Sequence, residues 1–269
     1  MAATLPPRKH APPMKKFLDT ALDAAAAASV PILARYHGSF EVEIKADATP
    51  VTIADREAEQ AIREVIGAAF PDHGIYGEEY GKDQFEAEYL WLVDPIDGTK
   101  SFVRGTGMFS TQIALMHRGE LVLGVSNAPA MGELAWAVRG EGAYLDGEPL
   151  RVSAVDSIDT AQLSAGNLKS LAASSSWERL GAIILRANRF RGYGDFWQYH
   201  RLAAGQLDAV FESDVNILDI AALAVIVREA GGVFTDLAGR PVGLDTTSVL
   251  AAPPVLHAEL LRELRWDGA

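Results

Sequence analysis

Tyr89-Leu90-Trp91-Leu92-Val93-Asp94-Pro95-Ile96-Asp97-Gly98-Thr99 sets two carboxylates, three residues apart, directly after an unbroken apolar run. The run reads as a buried strand, so Asp94 and Asp97 fall at its carboxyl end, the edge where open α/β sheets gather their ligands. Gly98-Thr99 can then open a helix whose first N–H groups lack partners within the helix and face an anion. Two acids would repel that anion unless a hard cation lay between them, and Mg2+ or Ca2+ takes such oxygen ligands. Taken alone, the residues also allow a plain turn, because Asp-Pro and Asp-Gly are turn-forming pairs.

Outward from this stretch, the N-terminal side reads as a loose leader over residues 1–13, then an amphipathic helix from about Met14 to Tyr36 and a short strand over Glu41 to Lys45. Thr52-Ile53-Ala54-Asp55 has capping-box spacing and precedes a helical pattern through Ala58, Ile62, Val65, Ile66 and Phe70. Ile75-Tyr76 leads into Gly77-Glu78-Glu79, so two acidic clusters end consecutive extended segments. From Thr111 to Leu150 short apolar stretches alternate with turn signals, which predicts an antiparallel meander. Beyond Arg151 the pattern predicts a Ser-rich helix over Leu168 to Arg179, a strand over Ala182 to Leu185 and a helix over Asp195 to Ala204. A strand over Leu207 to Phe211 follows, then an apolar helix opened by Asp219 and stopped at Gly231-Gly232. Strands over Val233 to Leu237 and Val249 to Ala252 and a helix over Val255 to Arg265 finish the chain. The expected organisation is a leader (1–13), an α+β half with the acidic motifs (14–150) and an α/β half (151–269), packed as one catalytic unit.

The 269 residues are 49% hydrophobic and 22% charged, a composition that buries a substantial core and excludes the signature of disorder. A net charge of −12 argues against a general basic surface for nucleic acid or anionic lipid. The absence of cysteine removes disulfides, thiolate zinc sites and cysteine nucleophiles, and leaves the cytoplasm as the default compartment. No segment reads as long and apolar enough to span a bilayer. The six histidines lack zinc-ligand spacing, and Gly192-x-Gly194 lacks the third glycine of a dinucleotide loop.

The Asp94 to Thr99 signature, Gly77-Glu78-Glu79, Thr52 to Asp55 and Asp219-Ile220-Ala221-Ala222 with Gly231-Gly232 together resemble the inositol monophosphatase family from about residue 14 to 265. The resemblance implies a layered αβαβα sandwich of the sugar-phosphatase type, α+β in class, and a homodimer. It implies two or three Mg2+ per active site, with Glu78, Asp94 and the Ile96 carbonyl at one ion, and Asp94, Asp97 and Asp219 at a second. Paired cations can activate water and stabilise a leaving alkoxide. Thr99 and Asp55 would form a relay that orients the water together with Glu78, and the N–H groups of Gly98 and Thr99 would cradle the phosphate. Asp55 and Asp219 could also be helix caps, and Glu78 a solvated loop acid.

Lys100-Ser101-Phe102-Val103-Arg104-Gly105 and Gly194-Asp195-Phe196-Trp197 resemble the histidinol-phosphate phosphatase branch more than the inositol branch, and the usual inositol-type Gly-Ser/Thr-Ala loop is missing. Asp97, Asp195 and Glu212 would then face the organic part of the ester, which suits a small substrate carrying an ammonium and an imidazole. Inositol-1-monophosphatase or another sugar or nucleotide phosphatase remains open, as does a metal-dependent binding protein without turnover. Leu218 stands where most relatives carry Trp, which leaves open how Asp219 is aimed.

Overall fold

The structure is a computed structural model that describes residues 14–36, 38, 42–44 and 50–267. The leader expected over 1–13, and Glu41 and Lys45 of the first expected strand, lie outside the described residues. The chain runs α1 (Met14–Arg35), β1 (Val42–Ile44), β2 (Pro50–Thr52), α2 (Ile53–Ala69), β3 (Gly74–Gly77), β4 (Gly81–Asp83), β5 (Tyr89–Asp97) and α3 (Thr99–Val103). The meander follows as β6 (Ser110–His117), β7 (Glu120–Ala128), β8 (Glu133–Val138), β9 (Gly142–Leu145) and β10 (Glu148–Pro149). Then come β11 (Gln162–Ala165), α4 (Leu168–Ala173), α5 (Trp177–Arg186), β12 (Arg189–Arg191), α6 (Asp195–Ala203) and β13 (Ala209–Ser213). The chain closes with α7 (Ile217–Glu229), β14 (Val233–Thr235), β15 (Ser248–Ala252) and α8 (Pro254–Leu264).

Strands β3 to β10 form one sheet in the order β10-β9-β8-β7-β6-β5-β3-β4, and β11 to β15 form a second in the order β12-β11-β13-β15-β14. Alternation along β5 and β6 decides what each face meets. Trp91, Val93, Ile113 and Leu115 pack against α1 and α2, which contribute Phe17, Ala21, Ala58 and Ile62. Leu90, Leu92, Ala114 and Met116 face the opposite way, onto α6 and α7, whose far side meets Val210, Phe234 and Ala251 of the second sheet. The outer face of that sheet, through Leu163, Phe211 and Leu250, buries α5 and α8 through Leu180, Ile183, Leu256 and Leu260. The result is the αβαβα sandwich expected from the sequence.

Three local expectations are corrected. Ala182 to Leu185 is not a strand but the end of α5: Leu180 and Ile183, three apart, are buried while Leu185 is 88% exposed, a helical period inside an apolar run. The helix expected over Leu168 to Arg179 is two, because Ser174 leaves helical geometry and its hydroxyl turns back to the Leu171 carbonyl at 2.7 Å. By length and composition α1 could cross a bilayer, with 22 residues and a mean hydropathy of 1.4 in its best window. Its apolar stripe, Phe17, Ala21, Ala24, Ala25, Ala28 and Ile32, is instead buried in the core of the fold.

Candidate active site

β3 and β5 run parallel with Gly77 opposite Val93, so the residue after each strand's pairing emerges at the same sheet edge. Glu78 donates its N–H to the Val93 carbonyl at 3.2 Å, and its side chain hydrogen-bonds Asp94. The first turn of α7 brings Asp219 to the same point, and carboxylate oxygens of Asp94, Asp97 and Asp219 all lie within 4.8 Å of one another. Burial, then the charges of Glu78, Asp97 and Asp219, push the Asp94 carboxyl well above the usual range. Asp97 is driven the same way by burial and then by Asp195 and Asp219, and burial raises Asp219 to about 7. Hard-oxygen donors that each resist ionisation beside their neighbours fit a divalent cation of the Mg2+ type, which would restore all of them to the anionic form.

Asp55 is fully buried at the third position of α2, where its two oxygens have different partners. Oδ2 accepts from the Thr52 N–H at 2.7 Å and the Thr52 hydroxyl at 2.6 Å, which completes a capping box. Oδ1 accepts from the Thr99 hydroxyl at 3.2 Å, which also approaches the Ile96 carbonyl at 3.0 Å. Asp55 thus caps its helix and holds the Thr99 hydroxyl at once. Burial, opposed by the Thr52 hydrogen bonds, raises its pKa. Between Asp97 and α3, Gly98 has φ +88°, and a Cβ there would sit 2.7 Å from the Met108 carbonyl oxygen, so only glycine makes this turn.

Asp97, Asp195, Glu212 and Asp219 line one small cavity of about 40 Å³ with Asn167 and Tyr199. Glu212 is buried at the end of β13 and accepts from Gln198 Nε2 at 2.9 Å and from the Tyr199 hydroxyl. Burial, reinforced by Asp195 and Asp219, pushes Glu212 up to about 8. Asp195 opens α6 in the left-handed region, φ +47°, an uncommon conformation for a residue with a Cβ. Burial raises it to about 6 against the pull of Lys100.

All the acids singled out in the sequence therefore meet at one end of the fold: Glu78, Asp94, Asp97 and Asp219 as one cluster, Asp55 and Thr99 behind it, Asp195 and Glu212 on the far wall. Asp219 does not open its helix but stands at the third position after Asn216, whose N–H and Nδ2 donate to its two oxygens at 2.9 and 2.7 Å. Asn216, rather than the buried Leu218, aims this acid, and its Asn-x-x-Asp spacing repeats that of Thr52 to Asp55. Glu59 was also missed: fully buried on α2, it accepts from the Glu79 and Tyr80 N–H groups at 2.6 and 3.2 Å and so shapes the Glu78 loop. Its signal was the i,i+4 pair with Arg63, joined at 2.8 Å.

Clustered acids at strand ends, a threonine hydrogen-bonded to a buried aspartate and an αβαβα sandwich describe a layered phosphoric monoester hydrolase. The sequence profile of the inositol monophosphatase family matches residues 14–268. A histidinol-phosphatase of Mycobacterium tuberculosis is 40% identical over 230 residues, covering 84% of this chain and 88% of the relative. A histidinol-phosphatase of Chlorobaculum parvum is 36% identical over 223 residues, covering 83% and 86%. The crystal structure of the extragenic suppressor protein suhB of Bartonella henselae superposes with a TM-score of 0.85 at 29% identity, covering 94% of this chain and 99% of that one. The chain belongs to the inositol monophosphatase family, and it is a phosphatase.

Proposed function

We propose that this phosphatase hydrolyses histidinol phosphate to histidinol and inorganic phosphate, with Mg2+ as cofactor. The observation that carries the reading is the second acidic pair, Asp195 and Glu212, on the same cavity as Asp97 and Asp219. A neutral polyol gives that wall no countercharge. An alcohol bearing an ammonium and an imidazole does, and it would draw Glu212 back to its ionised form. The similarity to histidinol-phosphatases over most of the chain supports the same substrate.

Glu78, Asp94, the Ile96 carbonyl, Asp97 and Asp219 would hold two or three ions. Bound Mg2+ would supply Lewis acidity and neutralise the ester's negative charge. With the Thr99 hydroxyl turned toward Asp55, its lone pairs would accept a hydrogen bond from water, and as the water's proton passed to Thr99 the threonine's own proton would pass to the Asp55 carboxylate, with Glu78 as the second acceptor that fixes the water's direction. The N–H groups of Gly98 and Thr99, at the start of α3, would receive phosphate oxygens. Asp97, Asp195 and Glu212 would orient the amine-bearing body of the substrate.

Purified protein with Mg2+ is to be compared on histidinol phosphate and inositol 1-phosphate. The expected result is a kcat/KM ratio of at least about a hundredfold in favour of the amine-bearing ester, the discrimination of a buried charged contact left unmade. A preference for inositol 1-phosphate would reject the substrate.

A further inference from the structure

A line of buried polar groups crosses the layer between the larger sheet and α6, although its surroundings, Leu92, Ala114, Phe196 and Leu202, are apolar. Asp94 on β5 pairs with Gln112 on β6, and Gln112 pairs with Ser126 on β7, so these side chains share one row and one face. Gln112 Nε2 donates to Ser126 Oγ at 3.0 Å and to Ser110 Oγ at 2.7 Å. Ser126 Oγ lies 2.9 Å from His200 Nε2, and His200 Nδ1 lies 3.2 Å from Glu133 Oε2. Gln112, Ser126 and His200 are fully buried.

The chemistry of the two ends fixes the direction of this chain. Ionised Glu133, which also receives Arg201 Nη2 at 2.6 Å, only accepts, so His200 Nδ1 carries the proton and Nε2 accepts from the Ser126 hydroxyl. Each link then has one donor and one acceptor, running from Gln112 to Glu133. Burying such groups costs more than an apolar filling of the same space would, and Gln112 Oε1 finds no donor among the described residues. What the chain provides that apolar packing does not is a single register of α6 on the sheet. The helix so fixed begins at Asp195 and carries Gln198 and Tyr199, the two donors to Glu212.

We infer that Gln112, Ser126, His200 and Glu133 form a positioning chain that registers the substrate-facing end of α6 against the Asp94 strand, and that it governs selection of the ester's alcohol. The inference rests on the proposed phosphatase site and adds residues that touch neither substrate nor cation. His200→Leu and Ser126→Ala break the chain, the second with almost no change of volume, while His200→Gln keeps an acceptor for Ser126.

The test measures kcat and KM for histidinol phosphate and for p-nitrophenyl phosphate, which has no amine, in wild type and the three variants, with Mg2+ titrated in each. In His200→Leu and Ser126→Ala, KM for histidinol phosphate is expected to rise about tenfold with little change in kcat, as for a misplaced charge-assisted contact. Turnover of p-nitrophenyl phosphate and the Mg2+ half-saturation should stay within about twofold, since the acids on β5 are not moved. His200→Gln should recover most of the lost selectivity. An active wild type whose ester selectivity is unchanged in Ser126→Ala, or whose two esters lose activity equally, overturns the inference alone. A wild type silent on both esters overturns the proposed function and takes the inference with it.

Discussion

Glu212→Gln should stabilise the cation-free protein while weakening its hold on an amine-bearing substrate. Glu212 is buried on β13 and pushed up to about 8 from its ordinary 4.5. At pH 7 the folded chain therefore keeps a proton that the unfolded chain releases. Each pH unit of that mismatch costs about 1.36 kcal/mol, so the interval from 4.5 to 7 amounts to about 3 kcal/mol. The sign follows from the raised value: the stabilising contribution is fully present below the unfolded value of 4.5 and is lost as pH rises through about 8. Glutamine keeps the volume and can still accept from Tyr199 and Gln198, but carries no ionisation to suppress. Urea unfolding in EDTA should give the two proteins equal stability near pH 4, a variant more stable by about 3 kcal/mol at pH 7, and a plateau above pH 8. Histidinol should narrow the difference, because it binds the wild type alone with full countercharge. A variant less stable than wild type at pH 7, or a difference that does not grow with pH, would refute the reasoning.

Asp94→Asn should lower kcat at least about a thousandfold by removing the charge shared by the cation ligands, whereas Glu79→Gln, beside the cluster, should stay within about threefold; phosphate release measures both. Thr99→Val, nearly isosteric, should cost about a hundredfold in kcat through loss of the contact with Asp55, with the Mg2+ half-saturation little changed. Gly98→Ala should destabilise the fold by about 1–3 kcal/mol in urea titration, because φ is +88° and the new Cβ would meet the Met108 carbonyl.

The parts legible in the sequence were those where local chemistry and tertiary role coincide. The run from Tyr89 to Val93 is apolar on both faces because helices cover both, and the acids after it could be placed without knowing the partners of the strand. Thr52 to Asp55 showed its cap in its spacing, and the hydrogen bond from Thr99 uses the oxygen the cap leaves over. Other parts depended on residues far apart in the chain. Nothing local to Glu59 shows that it receives the Glu79 N–H, 20 residues on, and nothing near Tyr199 shows that its hydroxyl ends on Glu212. Ala182 to Leu185 misled because four consecutive apolar residues satisfy either period, and only the exposure of Leu185 decides it. Helix α1 misled in the opposite direction: Asp19 and Asp23 disguised how apolar the rest of the helix is, and burial of its alanine-rich stripe accounts for that composition.

The most direct measurement is phosphate release from histidinol phosphate by EDTA-treated protein as Mg2+ is added back, in wild type and Asp94→Asn. The clustered acids predict no turnover without cation, saturable recovery in the wild type and none in the variant. Full activity of the wild type in EDTA, or equal recovery in Asp94→Asn, would contradict a site in which Glu78, Asp94, Asp97 and Asp219 work through a bound cation.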